Sequence, residues 1–349
     1  MRRTLSITLI AFLALSTYIP LPLNAGTHDT KAKILVDATH GAQWDSPVIL
    51  EAAESLEGVL LDVIYAPRVL SLLKSINGSV NPQGMEGDRW TYEFRLLRRV
   101  STLAVVFERR PGGPSFLNFW FKVSAPDGRA VDQWNYKDVE GVVMNEPALG
   151  VYRITAVNYG KGRIEFAVRI GEGSDPLAPE NLKNYDALIL LDPGLGGKTV
   201  FSKREIESVL DFVRDGKGLL LSWSRYGTKT SLNSISNFYG IRFLEEGFKC
   251  DEVDAAHYKW PIVRNFAQHP LTKGVYKLVC IGTRLEIDRS KAVPIVYDDE
   301  GRPLVAVSKR YKVIAVGVGE GAFDFLDVPD HLRFVENVIK WMLSNAGRG

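Results

Sequence analysis

The sequence predicts an α/β protein in which a doubly wound, mostly parallel sheet is interrupted by an all-β sandwich. Toward both ends of the chain, continuous apolar runs such as Lys33–Asp37 and Tyr185–Pro193 end in polar loops, which is typical of strands buried on both faces. Between about residues 84 and 172, short alternating segments are separated by turn sequences, which is typical of a sandwich. We therefore expect a discontinuous α/β domain over residues 31–80 and 175–349, and an inserted β domain over residues 84–172.

The first predicted strand is followed by a helix with a clear start signal. Ser46 is suited to cap the helix, and Pro47 is suited to its first position. Gly58 ends the helix, and Val59–Tyr65 is apolar enough to form the next strand. The chain therefore opens with a strand–helix–strand unit.

The inserted domain contains six strand-like segments. Turn sequences rich in glycine and proline separate them. The segments are Trp90–Leu96, Thr102–Phe107, Leu117–Val123, Gly141–Met144, Val151–Val157 and Arg163–Ile170.

The α/β pattern resumes after the linker Gly171–Pro176. Ser202–Glu205 has the spacing of a capping box, and Gly216 is suited to end the helix that this box begins. A final helix begins near Asp330. Further strands are predicted at Gly218–Trp223, Leu304–Val307 and Lys312–Gly317.

Residues 1–25 have the pattern of a secretory signal peptide. Arg2 and Arg3 precede the apolar run Leu5–Leu15, and Ala25 is a small residue before a plausible cleavage point. The run is shorter than the roughly 20 residues that a spanning helix needs. Leu23 is an unusual residue at the third position before the cut, so an uncleaved N-terminal anchor is the alternative. We expect a secreted or extracytoplasmic protein, at the cell surface, with no other membrane span.

Charge and cysteine content narrow the classes of partner. Lys plus Arg total 43 and Asp plus Glu total 41, a net charge of +2 that does not predict nucleic-acid binding. Cys250 and Cys280 are a candidate disulfide in an exported protein, and Asn77 lies in a glycosylation sequence. Neither the cysteine and histidine spacing nor the glycine-rich Gly194–Thr199 segment fits a metal or phosphate-loop motif, so no metal or cofactor is expected.

Polar residues collect where the predicted parallel strands end. In doubly wound folds, ligands bind at this carboxyl edge of the sheet. The candidate ligand-binding residues are Asp37, His40, Asp192, Gly194, Ser224, Arg225, Tyr226 and Glu320. Ser224 and His40, with Asp37 or Glu320 as the orienting acid, could also form a hydrolase site. The structural alternative is that both side chains satisfy nearby backbone groups.

Five segments, taken in order, resemble class I glutamine-amidotransferase-like domains, including ThuA-like proteins. They are Ile34–Gly41, Asn184–Leu190, Phe201–Glu205, Val213–Leu221 and His269–Val275. The resemblance covers most of residues 31–77 and 180–344 and implies a flavodoxin-like core.

The same resemblance implies that the catalytic residues are missing. Amidotransferases of this kind need a cysteine on a tight strand-to-helix turn and a histidine on a later loop. The corresponding turn, Leu221–Gly227, has no cysteine, and the late segment Val316–Gly321 has no histidine. The resemblance therefore implies a degenerate site without amidotransferase activity.

The insert resembles the prepeptidase C-terminal modules of secreted proteins. The similar segments are Trp90–Phe94, Ser124–Gly128 and Pro147–Ile154. This resemblance implies an accessory, jelly-roll-like sandwich. The Asp-rich stretch of that family is replaced here by Phe116–Phe121, which removes the basis for ion binding.

Together these patterns predict an exported, non-catalytic binding or interaction protein. Its partner would be a sugar, another glycan or another small polar ligand, or a protein of the cell envelope. The alternatives are a serine-type hydrolase of sugar or peptide substrates that uses Ser224 and His40, and a purely structural envelope component.

Overall fold

Strands outnumber helices in the part of the chain that the computed structural model describes, residues 31–40, 46–110, 119–135, 138–194, 199–223 and 229–344. Strands account for 44% and helices for 20%. The strands are β1 (Ala32–Asp37), β2 (Val59–Ile64), β3 (Val69–Val80), β4 (Arg89–Leu96), β5 (Thr102–Arg109), β6 (Phe119–Ser124), β7 (Ala130–Asn135), β8 (Val139–Asn145), β9 (Gly150–Asn158), β10 (Ile164–Gly173), β11 (Ala187–Leu191), β12 (Gly218–Ser222), β13 (Ile241–Gly247), β14 (Val253–Asp254), β15 (Trp260–Val263), β16 (Asn265–Phe266), β17 (Leu278–Val279), β18 (Thr283–Ile287), β19 (Ala292–Tyr297), β20 (Pro303–Ser308) and β21 (Val313–Val316). The helices are α1 (Pro47–Glu54), α2 (Pro179–Leu182), α3 (Lys203–Arg214), α4 (Lys229–Ser236), α5 (Gly319–Ala322) and α6 (Pro329–Leu343), with 3₁₀ turns at Asn237–Tyr239 and Pro270–Thr272.

The prediction of a doubly wound, mostly parallel, flavodoxin-like sheet is wrong. The eight-stranded sheet has the order β16-β19-β20-β21-β12-β11-β1-β2 and is mixed. Its strands from β21 to β2 are parallel, whereas β16, β19 and β20 pair antiparallel. The segments that join β19 to β20 and β20 to β21 are too short for a crossover helix, so the chain can only return antiparallel. The other sheets of the described residues are antiparallel as well.

Two four-stranded antiparallel sheets enclose an aromatic part of the hydrophobic core, which continues to one face of the eight-stranded sheet. Their orders are β3-β10-β5-β8 and β4-β9-β6-β7. The Phe107 ring lies 4.2 Å from the Phe121 ring and 5.3 Å from the Phe166 ring, measured between centroids. These sheets begin with β3, upstream of residue 84, and β3 and β7 were not among the predicted strands. Gly78 of β3 lets this strand approach the core closely, because a Cβ there would lie 2.5 Å from the Phe166 ring.

The predicted helix starts are confirmed. Ser46 Oγ accepts a hydrogen bond from the backbone N–H of Ile49 at 3.3 Å, with Pro47 in the first turn of α1. In α3, Ser202 Oγ accepts from the Glu205 N–H at 3.2 Å, and the Ser202 N–H donates to Glu205 Oε2 at 2.7 Å. Both caps satisfy amides that would otherwise lack intrahelical partners.

The sandwich is hydrogen-bonded to the chain just after β1 and just after β2. The Val143 N–H of β8 donates to the Thr39 carbonyl at 3.0 Å, and the Gly141 N–H donates to the Tyr65 carbonyl at 2.9 Å. Strand β8 therefore lies against residues 38–40, which directly follow β1 and are buried. In the described ranges, no helix has both the length and the apolar character needed to cross a bilayer.

Candidate functional site

His40 is held between two carboxylates in the interior. Its Nδ1 contacts Asp37 Oδ2, and its Nε2 lies 2.5 Å from Glu205 Oε1. The imidazole is 1% exposed and packs 5.2 Å from the Phe201 ring, measured between centroids. Both ring nitrogens are therefore engaged within the protein.

The two carboxylates are themselves oriented by backbone and hydroxyl donors. Asp37 Oδ1 accepts from the Thr39 N–H at 2.9 Å and from Thr39 Oγ1 at 2.7 Å. Glu205 Oε2 accepts from the Ser202 N–H, so one side chain caps α3 and also binds His40. This buried ion network, which we call the His40 cluster (Asp37, His40 and Glu205), leaves each carboxylate oxygen with a partner, as buried charges require.

The neighbouring groups of the His40 cluster shift the pKa values of His40 and Asp37 toward their charged forms. Burial alone would lower the pKa of His40, but the charges and hydrogen bonds of Asp37 and Glu205 outweigh it and raise that pKa well above 6.5. Burial would raise the pKa of Asp37, but His40 and the Thr39 hydrogen bonds lower it below 3.8. At neutral pH the imidazole is therefore a cation beside the Asp37 carboxylate.

Asp175 lies beside the His40 cluster. Burial, reinforced by the charge of Glu205, raises the pKa of Asp175 to about 6 against the opposing charge of His40. Its Oδ1 accepts from the Leu177 N–H at 2.8 Å, and its carboxyl group is also hydrogen-bonded to the side chain of Asn145. Asn145 in turn accepts from the Thr102 hydroxyl. The carboxyl group of Asp175 is thus fixed by the sandwich and by the segment that leads into α2.

A cleft of about 430 Å³ opens at Asp175, within the size range of small-molecule sites. We call it the Asp175 cleft. It is lined by residues in or next to strands β3, β5, β8 and β10, by α2, and by residues at the start of α3. Its polar lining residues are Ser101, Thr102, Asn145, Glu146, Ser174, Asp175, Glu180, Asn181, Ser202 and Arg204.

Sequence reasoning did not assign a site role to Glu205 or Asp175. Glu205 was recognised as the acid of a capping box, and one of its oxygens does have that role. Asp175 falls in a Gly/Ser/Asp/Pro stretch whose composition indicates a linker. The only local signal for either was an acidic residue next to a helix start, which the cap alone explains.

Two further predicted residues lie next to the His40 cluster. The Gly194 N–H donates to the His40 carbonyl at 2.8 Å. Asp192 is 3% exposed and has a positive φ of 49° at the end of β11. Burial raises the pKa of Asp132 on β7 to about 6. The hydrogen bond from the Trp120 indole opposes this shift, whereas the charge of Asp192 adds to it. Strand β7 therefore interacts electrostatically with this edge of the sheet, in addition to the hydrogen bonds from β8.

Glu320, also among the predicted residues, is not brought to His40. Glu320 follows β21, and the sheet order places β21 three strand spacings, about 14 Å, from β1. Its backbone carbonyl accepts from the Ile281 N–H at 3.1 Å. Ser224, Arg225 and Tyr226 lie outside the described residues.

Cys250 and Cys280 are free thiols in this structure. Burial raises the pKa of Cys250 to about 11 and that of Cys280 well above 9, which leaves both as unreactive thiols at neutral pH. Their pairing and the glycosylation of Asn77, an exposed residue of β3, stay predictions. Among the described residues, no group of histidine, cysteine and acidic side chains is arranged to hold a metal ion.

No protein-family model and no curated protein sequence matches this chain. Among solved structures, a ThuA-like protein from Bacteroides uniformis overlaps 48% of this chain and 74% of its own, with 17% identity and a TM-score of 0.34. An exo-β-1,4-mannosidase from an Opitutaceae bacterium overlaps 49% of this chain and 26% of its own, with 18% identity and a TM-score of 0.27. A β-glucosidase from Streptomyces venezuelae overlaps 56% of this chain and 28% of its own, with 8% identity and a TM-score of 0.30. The first overlap is compatible with the resemblance noted from the sequence, but similarity at this level assigns neither a family nor an activity.

Proposed function

We propose that this protein is a non-catalytic binding protein that holds a small polar ligand, such as a sugar, in the Asp175 cleft. The observation that carries the proposal is the combination in one cleft of a suitable volume and a fixed carboxyl group among hydroxyl and amide side chains. Carboxylates and amides bind a ligand hydroxyl well, because such a hydroxyl both donates and accepts hydrogen bonds. Pre-organisation by Asn145 and the Leu177 N–H reduces the cost of ordering Asp175 on binding.

The geometry of His40 supports a binding role over catalysis. A general base must have a nitrogen free to receive the proton of the nucleophile, within hydrogen-bond reach. Both nitrogens of His40 face carboxylates instead, and the ring is buried. In the described residues, no observation favours the serine-hydrolase alternative.

Ligand binding is tested by thermal unfolding of the mature protein with a panel of monosaccharides, amino acids and nucleotides. A ligand in hundredfold excess over its Kd stabilises the folded state by about 2.7 kcal/mol, which raises Tm by about 5 °C. We expect a shift with at least one monosaccharide. We expect Asp175→Asn to abolish this shift while leaving the Tm of the free protein nearly unchanged, because the asparagine oxygen can still accept from the Leu177 N–H.

The matched control is Asp211→Asn, on the exposed face of α3, where Asp211 pairs with Arg214. It makes the same chemical change away from the cleft and should keep the full shift. If no sugar shifts Tm, or if Asp175→Asn keeps the shift, the proposed site is wrong.

Export is part of the proposal and is supported by the sequence of residues 1–25 alone. We expect the protein recovered from outside the cytoplasm to begin at Gly26, as read by N-terminal sequencing. A chain that begins at Met1 in the membrane fraction would instead support the uncleaved anchor, and recovery from the cytoplasm alone would contradict export.

A further inference from the structure

A second cleft adjoins the first. It has a volume of about 490 Å³ and includes Thr199, Phe201 and Thr230. We call it the Thr230 cleft. Glu146 and Ser202 line both clefts, so the two join at these residues and form one groove along the seam between the sandwich and the sheet–helix part.

Glu146 is rigidly presented where the two clefts meet. Its φ is 46°, a left-handed conformation that non-glycine residues adopt rarely and that concentrates at functional sites. The Arg129 guanidinium holds this conformation by donating to the Glu146 carbonyl at 2.7 Å and to the Asn145 carbonyl at 2.8 Å. The Glu146 N–H donates to the Ser101 carbonyl at 2.9 Å, and the Glu146 side chain itself is exposed. The backbone is thus fixed on both sides while the side chain stays accessible in the groove.

The lining of the groove fits a hydroxyl-rich chain better than a peptide. Among its described lining residues, Leu70 and Phe201 are the only large apolar side chains, and Phe201 is 3% exposed. Peptide-binding grooves rely on apolar pockets or on a free strand edge. Hydroxyl, amide and carboxylate groups dominate here instead.

The charge of the groove favours a neutral ligand over an acidic one. The Asp175 cleft is lined by three acidic side chains and one basic side chain, namely Glu146, Asp175, Glu180 and Arg204. In the Thr230 cleft, Asp127 is paired with Arg129 at 2.8 Å, so neither charge is open to the ligand. An acidic saccharide would therefore meet net repulsion.

We propose that the two clefts bind one linear, neutral oligosaccharide, with Glu146 between a sugar unit in the Asp175 cleft and a sugar unit in the Thr230 cleft. This inference rests on the proposed function and adds to it the length and charge of the ligand. Each cleft alone is of the size that accommodates a small molecule, so an oligosaccharide occupies both and gains contacts that a monosaccharide lacks.

The test is an array of β-1,4-glucans, β-1,4-mannans, α-1,4-glucans and β-1,4-linked N-acetylglucosamine oligomers, from monosaccharide to hexasaccharide, with oligogalacturonates and a peptide library on the same surface. Calorimetry then compares the best neutral series as monosaccharide and as tetrasaccharide. We expect the tetrasaccharide to bind at least about tenfold more tightly, and the oligogalacturonates not to bind. Glu146→Gln and Thr230→Ala should each reduce the gain in affinity from monosaccharide to tetrasaccharide by about three- to tenfold. Glu57→Gln, an exposed change in the turn between α1 and β2, should leave the gain in affinity unchanged.

The outcomes separate the two proposals. Equal affinity for monosaccharide and tetrasaccharide, or a gain that neither groove variant reduces, overturns the oligosaccharide inference and leaves the sugar site at Asp175 standing. Preferential binding of oligogalacturonates or of peptides overturns the inference as well. If no saccharide binds at all, the proposed function fails together with it.

Discussion

Replacing His40 with glutamine is expected to lower the free energy of unfolding by about 3–5 kcal/mol, because removing one member of a buried ion cluster leaves uncompensated charge in the interior. His40 is the only cation within the His40 cluster, where Asp37 and Glu205 are also almost fully buried. A neutral glutamine would leave the two buried carboxyl groups without their counter-ion. Urea denaturation at pH 6, with ΔG extrapolated to water, measures the loss.

The control is a variant in which all charges of the cluster are removed together. Asp37→Asn/His40→Gln/Glu205→Gln keeps side chains of similar shape, and glutamine retains the capping role of Glu205. Because it leaves no unpaired charge, we expect it to recover most of the stability lost in His40→Gln alone. A triple variant as unstable as the single one would show that shape, rather than charge, makes His40 necessary.

Stability is expected to fall as pH rises above 6.5, by up to about 1.4 kcal/mol per pH unit from His40. The pKa of His40 is raised well above 6.5 in the folded state, so above pH 6.5 the folded protein keeps a proton that the unfolded chain has released. This stabilisation is complete below pH 6.5 and is lost as pH rises through the folded pKa. Asp37 has the opposite sign: its pKa is lowered, so its contribution is present above pH 3.8 and is lost as pH falls through the lower folded value.

Denaturation from pH 6.5 to 9 measures the slope, and the charge-free triple variant is the comparison. Burial would lower the pKa of His257, but Asp327 and Asp254 raise it above 6.5. His257 therefore contributes equally to the pH dependence of stability in both proteins. His331→Gln is a second control, because burial lowers the pKa of His331 to about 4 and that residue releases no proton above pH 6.5. We expect the triple variant to have a shallower slope and His331→Gln to keep the wild-type slope. Equal slopes for the wild type and the triple variant would contradict a charged His40.

The strongest sequence predictions were local ones. The Ser46 and Ser202 caps depend on side chains within three residues of the amides that they bind, so their spacing in the sequence is enough to predict them. The apolar runs of β1, β11 and β12 likewise predicted buried parallel strands, because strands covered on both faces have no polar alternation.

Strand pairing was predicted less well. The prediction treated the sheet as mostly parallel throughout. Strands β19 and β20 are joined by a short turn, however, which permits only antiparallel pairing. Strand β3 was missed because it lies at the edge of its sheet, where exposed polar residues interrupt the alternation on which strand prediction depends.

The sequence by itself determined the caps, the buried runs at both ends of the chain and the sandwich-like alternation between them, because each of these follows from interactions among neighbouring residues. It also indicated Asp37 and His40 together, since they are three positions apart at the end of one strand. Only the tertiary structure decided what they do. Glu205, which contacts His40, is separated from it by 165 positions in the sequence, and β8 is hydrogen-bonded to the chain at Thr39. The physical reason is that burial and charge pairing depend on which distant segments fold against each other, and these contacts make His40 a buried cation and leave the open groove beside it at Asp175 and Glu146.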